Sequence, residues 1–212
     1  MKSKYFSEFL GTAFLFCTVV GSGIMGQNLS SNDSLTLLAN TLATVFALYF
    51  LITIFGDHSS HFNPVVSMVM LVRKEISTQV CTIFIILQIS GAILGVMLAN
   101  YIFELDPVYF SEKPRSGIHL FVSEILATFG LLMVILLSPK EKVAVTVAAY
   151  IGAAYWFTSS TSFANPAGTI GRSFSNTFAG ISTNDILHFC VAQIIGAFLA
   201  LIVYKTFFES QK

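Results

Sequence analysis

Six apolar stretches run through this chain: Tyr5 to Met25, Leu35 to Phe55, Ser77 to Tyr101, Ile118 to Leu137, Val143 to Thr158 and Ile186 to Phe207. Crossing a hydrocarbon core takes about 20 helical residues. Each stretch is of that order, so the chain reads as an all-α membrane protein with six transmembrane helices. Composition agrees, at 55 % hydrophobic and 10 % charged residues, far from a soluble domain of this length. The first stretch continues past the apolar core of a secretion signal, carries Glu8 and lacks a small-residue cleavage site. The N-terminus is therefore read as mature.

Positive charge in short loops sets orientation. With six crossings, Lys2, Lys4, Arg73, Lys74, Lys140, Lys142, Lys205 and Lys212 share one side, and Lys113, Arg115 and Arg172 the other. The larger group marks the cytoplasm, so both termini are expected there. A net charge of zero and the lack of a basic patch with interleaved aromatics argue against a nucleic-acid partner. Cys17, Cys81 and Cys190 all lie in apolar stretches and read as packing residues.

The two halves repeat each other. Ser7-Glu8-Phe9-Leu10-Gly11-Thr12 matches Ser123-Glu124-Ile125-Leu126-Ala127-Thr128, Asn63-Pro64 matches Asn165-Pro166, and Gln88-Ile89-Ser90-Gly91-Ala92 matches Gln193-Ile194-Ile195-Gly196-Ala197. Each half holds three spans with one Asn-Pro between its second and third. An odd number of spans inverts the second half relative to the first, the construction that brings discontinuous helices to the membrane midplane. The expected organisation is a first repeat over 1–103, a connecting loop over 104–117 and a second repeat over 118–212.

The segment after each Asn-Pro is too short to cross. Residues 64–72 make about 13 Å of helix, under half of a core about 30 Å thick. Residues 166–175 are similarly short. Each must enter and leave on one side as a re-entrant half-helix, and non-helical backbone at that depth is tolerated only where it is buried in protein or lines a cavity. Asn is a strong N-cap and Pro suits the first helical position. One such pair is an ordinary helix start. Two in repeat-related places bring two positive helix ends together at mid-pore, each equivalent to about half a charge. Cations would be repelled there, while the amides of Asn63 and Asn165 could donate to a neutral oxygen-bearing solute.

With these motifs in view, the whole chain resembles the aquaporin and aquaglyceroporin, or major intrinsic protein, family. The first motif reads Asn63-Pro64-Val65 where the family usually has Asn-Pro-Ala; the second, Asn165-Pro166-Ala167, is standard. The resemblance implies that His61 lines the cytoplasmic half of the pore. It also implies that Glu8 and Glu124 hold the half-helix loops; Gln88 and Gln193, polar groups inside apolar spans, read as interhelical hydrogen-bond partners rather than solute ligands. The family's outer filter Arg falls here on Gly168, and its other filter positions fall by spacing on Ala43, Ala153 and Ser162, with Gly152 as the alternative to Ala153. All are small, so the expected filter is wide and lacks a fixed cation. Arg172 lies about two helical turns beyond Asn165. A pore-lining role and a snorkelling role in the outer vestibule are both open for it. The second motif resembles that of a bacterial subgroup associated with arsenic-resistance operons.

The expectation is a passive channel for small uncharged solutes: glycerol and water, with urea and arsenous acid as further candidates. It needs no cofactor or metal, since His58, His119 and His188 are scattered without ligand spacing. No catalytic arrangement is apparent, so an enzyme is not expected. The resemblance implies a homotetramer, in the inner membrane of a bacterial host. Two alternatives remain: a structural or adhesive membrane protein of the same fold, and a transporter coupled to an ion gradient.

Overall fold

A computed structural model describes residues 2–209, so Lys212 of the charge argument lies outside the described residues. The described residues form eight α-helices: α1 (Lys2–Leu29), α2 (Asp33–Phe55), α3 (Pro64–Val72), α4 (Thr78–Ile102), α5 (Ile118–Leu137), α6 (Val143–Phe157), α7 (Pro166–Arg172) and α8 (Ile186–Phe207). Among the described residues there are no named β-strands.

Five of these helices, α8 with its preceding turn, are long and apolar enough to cross a membrane. The remaining predicted span, α6, has 15 residues, about 22 Å at 1.5 Å per residue. A 3₁₀ turn at Lys140–Lys142 and the extended segment after Phe157 lengthen it. Side chains such as Phe46, Ile118, Leu187 and Ile202 are mostly exposed on the outside of the bundle. In water such a surface would drive aggregation; in lipid it is the required one.

The duplication seen in the sequence reappears as duplicated packing. Helix α1 lies along α4, and α5 along α8. Both crossings are close because a glycine faces backbone: a Cβ on Gly91 would meet the Phe9 carbonyl oxygen at 2.5 Å, and one on Gly196 would meet that of Ile125 at 2.4 Å. With no hydrophobic drive between helices in lipid, such small-residue contacts are what hold them together. In α4 the stripe extends to Gly95, which abuts the backbone of Ala13.

Helix α3 covers Pro64–Val72, whereas α7 stops at Arg172, short of the expected 166–175. The reason is local. The Ser173 carbonyl accepts from the Ser111 N–H and the Phe174 carbonyl from Asn100 Nδ2, so the chain after Arg172 is drawn into the outer loop rather than another helical turn. An isolated parallel bridge between Tyr109 and Ser175 ties the same two segments.

Candidate pore and its supports

Asn63 and Asn165 are the N-caps of α3 and α7 with almost the same extended backbone, φ −156° in each. Asn63 Oδ1 accepts from the Val65 N–H at 3.1 Å; Asn165 Oδ1 accepts from those of Ala167 and Gly168 at 3.0 and 3.3 Å. Their amide nitrogens reach across the repeat. Asn63 Nδ2 donates to the Ala164 carbonyl and Asn165 Nδ2 to the Phe62 carbonyl, both at 2.8 Å. The two half-helices are thus tied cap to cap, each through the residue before the other's Asn. An amide nitrogen carries two hydrogens. One of each pair is used in this lock, and the second remains for the cavity that both side chains line.

Phe62 and Ala164 must turn their N–H one way and their C=O the other. Both do so with positive φ, 48° in each case, although neither is glycine. A non-glycine residue held there costs about 1–3 kcal/mol. The compensation comes from the buried carboxylates. Glu8 Oε1 accepts from Ser59 Oγ and the His61 N–H, and Oε2 from the Phe62 N–H and Gln88 Nε2. Glu124 accepts from the Phe163 and Ala164 N–H groups and from Gln193 Nε2. Neither carboxylate is exposed to any degree. Each anchors its own loop, and its glutamine extends the network onto the half-helix.

That extension uses two residues not singled out from the sequence. Gln88 Nε2 donates to Ser67 Oγ at 2.9 Å, and Gln193 Nε2 to Thr169 Oγ1 at 2.9 Å. Ser67 and Thr169 each stand four residues after an Asn. A hydroxyl at that place in both copies was the signal available. Ser67 also pairs with His61 Nδ1 at 3.0 Å, fixing a ring that lies edge-on to Phe84.

A cavity of about 160 Å³ runs past the two caps. Its polar wall includes His61, Asn63, Ser162, Asn165 and Arg172; its apolar wall includes Phe16, Val19, Leu48, Leu131, Val147 and Ile151. Pro64, Val65, Pro166 and Ala167 are packed behind the caps.

The cavity lining differs from the spacing-based filter at three positions. Ala43 does not line the cavity and its neighbour Thr44 does; Ala153 is exposed on the outer surface, Gly152 faces Val45 of α2, and Tyr155 takes the place on the wall. Each residue of a helix turns about 100°, so an error of one or two residues in register exchanges pore for lipid or neighbour. Gly168 is buried against Phe16, whose ring would lie 2.2 Å from a Cβ there. Only Ser162 of the expected ring reaches the cavity, joined by Thr44, Tyr155, Phe16 and Arg172. The Thr44 and Tyr155 hydroxyls are 3.1 Å apart.

At the end of the bundle near Arg172, the 104–117 loop packs against the segment that follows α7. Arg115 Nε donates to the Gly180 carbonyl at 2.8 Å, its backbone N–H to Asp185 at 2.7 Å, and Lys113 Nζ to the Phe178 carbonyl at 2.8 Å. Burial, then the charges of Arg115 and Arg172, push the Lys113 ammonium from 10.5 down to about 8. A lowered folded-state value means that folding disfavours the charged form. Its contribution is complete above 10.5 and is lost as pH falls through about 8. Melting temperature in detergent should therefore climb as pH is raised from about 7 to about 9.5, and Lys113→Gln should flatten that climb.

Comparison with known proteins agrees with this geometry. The family model described as Major intrinsic protein matches residues 1–204. The chain is 45 % identical over 203 residues to the aquaglyceroporin AqpS of Rhizobium meliloti (strain 1021), covering 94 % of this chain and 87 % of that protein. The X-ray structure of the aquaglyceroporin from Plasmodium falciparum superposes with a TM-score of 0.76 at 19 % identity, covering 99 % of this chain and 98 % of that one, a likeness of fold. Duplicated apolar helices, paired half-helices and a family match over nearly the whole chain lead to one conclusion: the chain is an integral membrane protein of the major intrinsic protein family.

Proposed function

We propose that the protein is a passive channel for small uncharged solutes, with glycerol foremost. The observation that carries this reading is the mixed wall. Polar groups of His61, Asn63, Asn165, Thr44, Tyr155 and Arg172 share it with hydrocarbon from Phe16, Val19, Leu48, Leu131, Val147 and Ile151. A triol can lay its hydroxyls on the first and its C–H groups on the second. An ion has no such match, and stripping its water without replacement is prohibitive in a low-dielectric site. The positive ends of α3 and α7 add a barrier to cations at the same level. Water, urea and uncharged arsenous acid fit the same chemistry.

The wider arrangement we propose is the inverted pair of repeats 1–103 and 118–212 joined by 104–117. Both termini lie in the cytoplasm, each monomer carries a pore, and four assemble in the inner membrane if the host is bacterial. Arg73, Lys74, Lys140 and Lys142 then form the cytoplasmic rim.

The test is stopped-flow swelling of proteoliposomes in glycerol. Flux well above protein-free vesicles, independent of any proton or sodium gradient, is expected. Flux equal to protein-free vesicles would favour a structural role, and dependence on a gradient would favour a coupled transporter.

A further inference from the structure

Resting on the channel reading, we infer that Arg172, supported by Phe163, is the charge-selecting site at the outer end of the pore. Among the described residues it is the one Lys, Arg, Asp or Glu on the cavity wall. It is 5 % exposed. The ion pairs among the described residues are Arg73 with Glu75 and Arg73 with Glu209, so no carboxylate is directly paired with it.

Its position is held from two sides. Nε donates to the Ala179 carbonyl, and the guanidinium carbon sits 3.4 Å from the centroid of the Phe163 ring. That ring is itself engaged by Arg115, 4.8 Å from its centroid, whose guanidinium is anchored on the Gly180, Ser160 and Phe178 carbonyls. A stacked guanidinium keeps its charge and its in-plane donors while giving up only one face. With Nε committed to Ala179, the two terminal nitrogens remain to donate toward the cavity. Ser162 Oγ, on the same wall, is buried and without a hydrogen-bond partner among the described residues.

A neutral hydroxylated solute can accept from the Arg172 guanidinium through its hydroxyl oxygens. A cation meets an unpaired positive charge where the dielectric is low and screening weak. The charge therefore enters from the far end of α7, although position 168 has no side chain to carry it. Phe163 and Arg115 are positioning residues in this scheme.

The experiment compares cation permeability, read as dissipation of a potassium-diffusion potential, with glycerol swelling in one set of proteoliposomes. Wild-type swelling above protein-free vesicles tests the channel reading by itself. For Arg172→Gln the ratio of cation to glycerol permeability should rise at least about tenfold, and Arg172→Lys should restore most of the discrimination. An unchanged ratio in Arg172→Gln protein that elutes as folded material would overturn the inference and leave the channel reading intact. If that variant does not fold, Phe163→Leu carries the test. It keeps the charge but removes its platform, so a rise of about threefold is expected, and no rise overturns the inference equally.

Discussion

Glu8→Ala is expected to lose folded protein almost entirely on extraction into detergent, or to melt far below wild type. The carboxylate receives four hydrogen bonds at full burial, two of them from backbone N–H groups of the loop before α3. Leaving a buried donor unsatisfied costs about 1–3 kcal/mol, and two such N–H groups are left at once. Phe62 also loses the bond that holds it at φ 48°. The two orphaned N–H groups together cost about 2–6 kcal/mol, a large share of the whole stability of a typical domain. Glu8→Gln should fall between, because an amide offers one acceptor where the loop presents donors to two oxygens. Glu124→Ala should behave like Glu8→Ala, since it holds Phe163 and Ala164 in the same way. The measurement is the melting of the size-exclusion peak in detergent. A Glu8→Ala protein that melts within a few degrees of wild type would mean the loop holds its shape unaided.

Gly168→Arg should have the second largest effect, and a larger one than the sequence suggests. Restoring the residue usual at that place looks like a conservative return to a narrower pore. The structure argues for collapse of the site. Even a Cβ at 168 would lie 2.2 and 2.3 Å from two atoms of the Phe16 ring, which is packed on the pore wall. Either Phe16 leaves its rotamer and enters the cavity or α7 tilts away from α1. Overpacking of this kind costs about 1–3 kcal/mol even for a methyl or methylene. A ring forced into the pore raises the barrier further, and each 1.4 kcal/mol slows passage about tenfold. Glycerol swelling in Gly168→Arg proteoliposomes should thus drop at least about tenfold, and Phe16→Ala in the same chain should recover part of it by making room. Flux at or above the wild-type rate in the single variant would show that Phe16 yields at little cost and that the ring is softer than its packing implies.

Much of the scaffold was legible in the residues because each piece has a local chemical signature that occurs twice. Asn-Pro inside an apolar stretch specifies a cap and a helix start. The short run after it cannot span, and the matched Glu and Gln on the flanking spans must be buried and therefore bonded. The same logic would have found Ser67 and Thr169, hydroxyls at corresponding places on both half-helices. The pore wall behaved differently. In a soluble protein the apolar stripe of a helix reveals its inner face. In this one the outer face meets lipid and much of the inner face is also apolar, as Leu48 and Ile151 show. The helices carry little phase information, and on α2 and α6 the cavity is lined one or two residues away from the positions that spacing picks out.

What the sequence by itself determined is therefore the topology: spans, half-helices, their repeat relation and the carboxylates that fasten them, each compelled by the cost of unsatisfied polar groups in hydrocarbon. Which side chains face the solute was decided only in three dimensions. Thr44 replaced Ala43, Tyr155 replaced Ala153, Phe16 filled the space beside Gly168, and Arg172 came to the wall by stacking on Phe163. Those outcomes depend on rotations of about 100° per residue and on contacts between segments distant in the chain, such as Arg115 with Phe163. Close packing selects among them, and one chain's residue spacing carries no record of that choice.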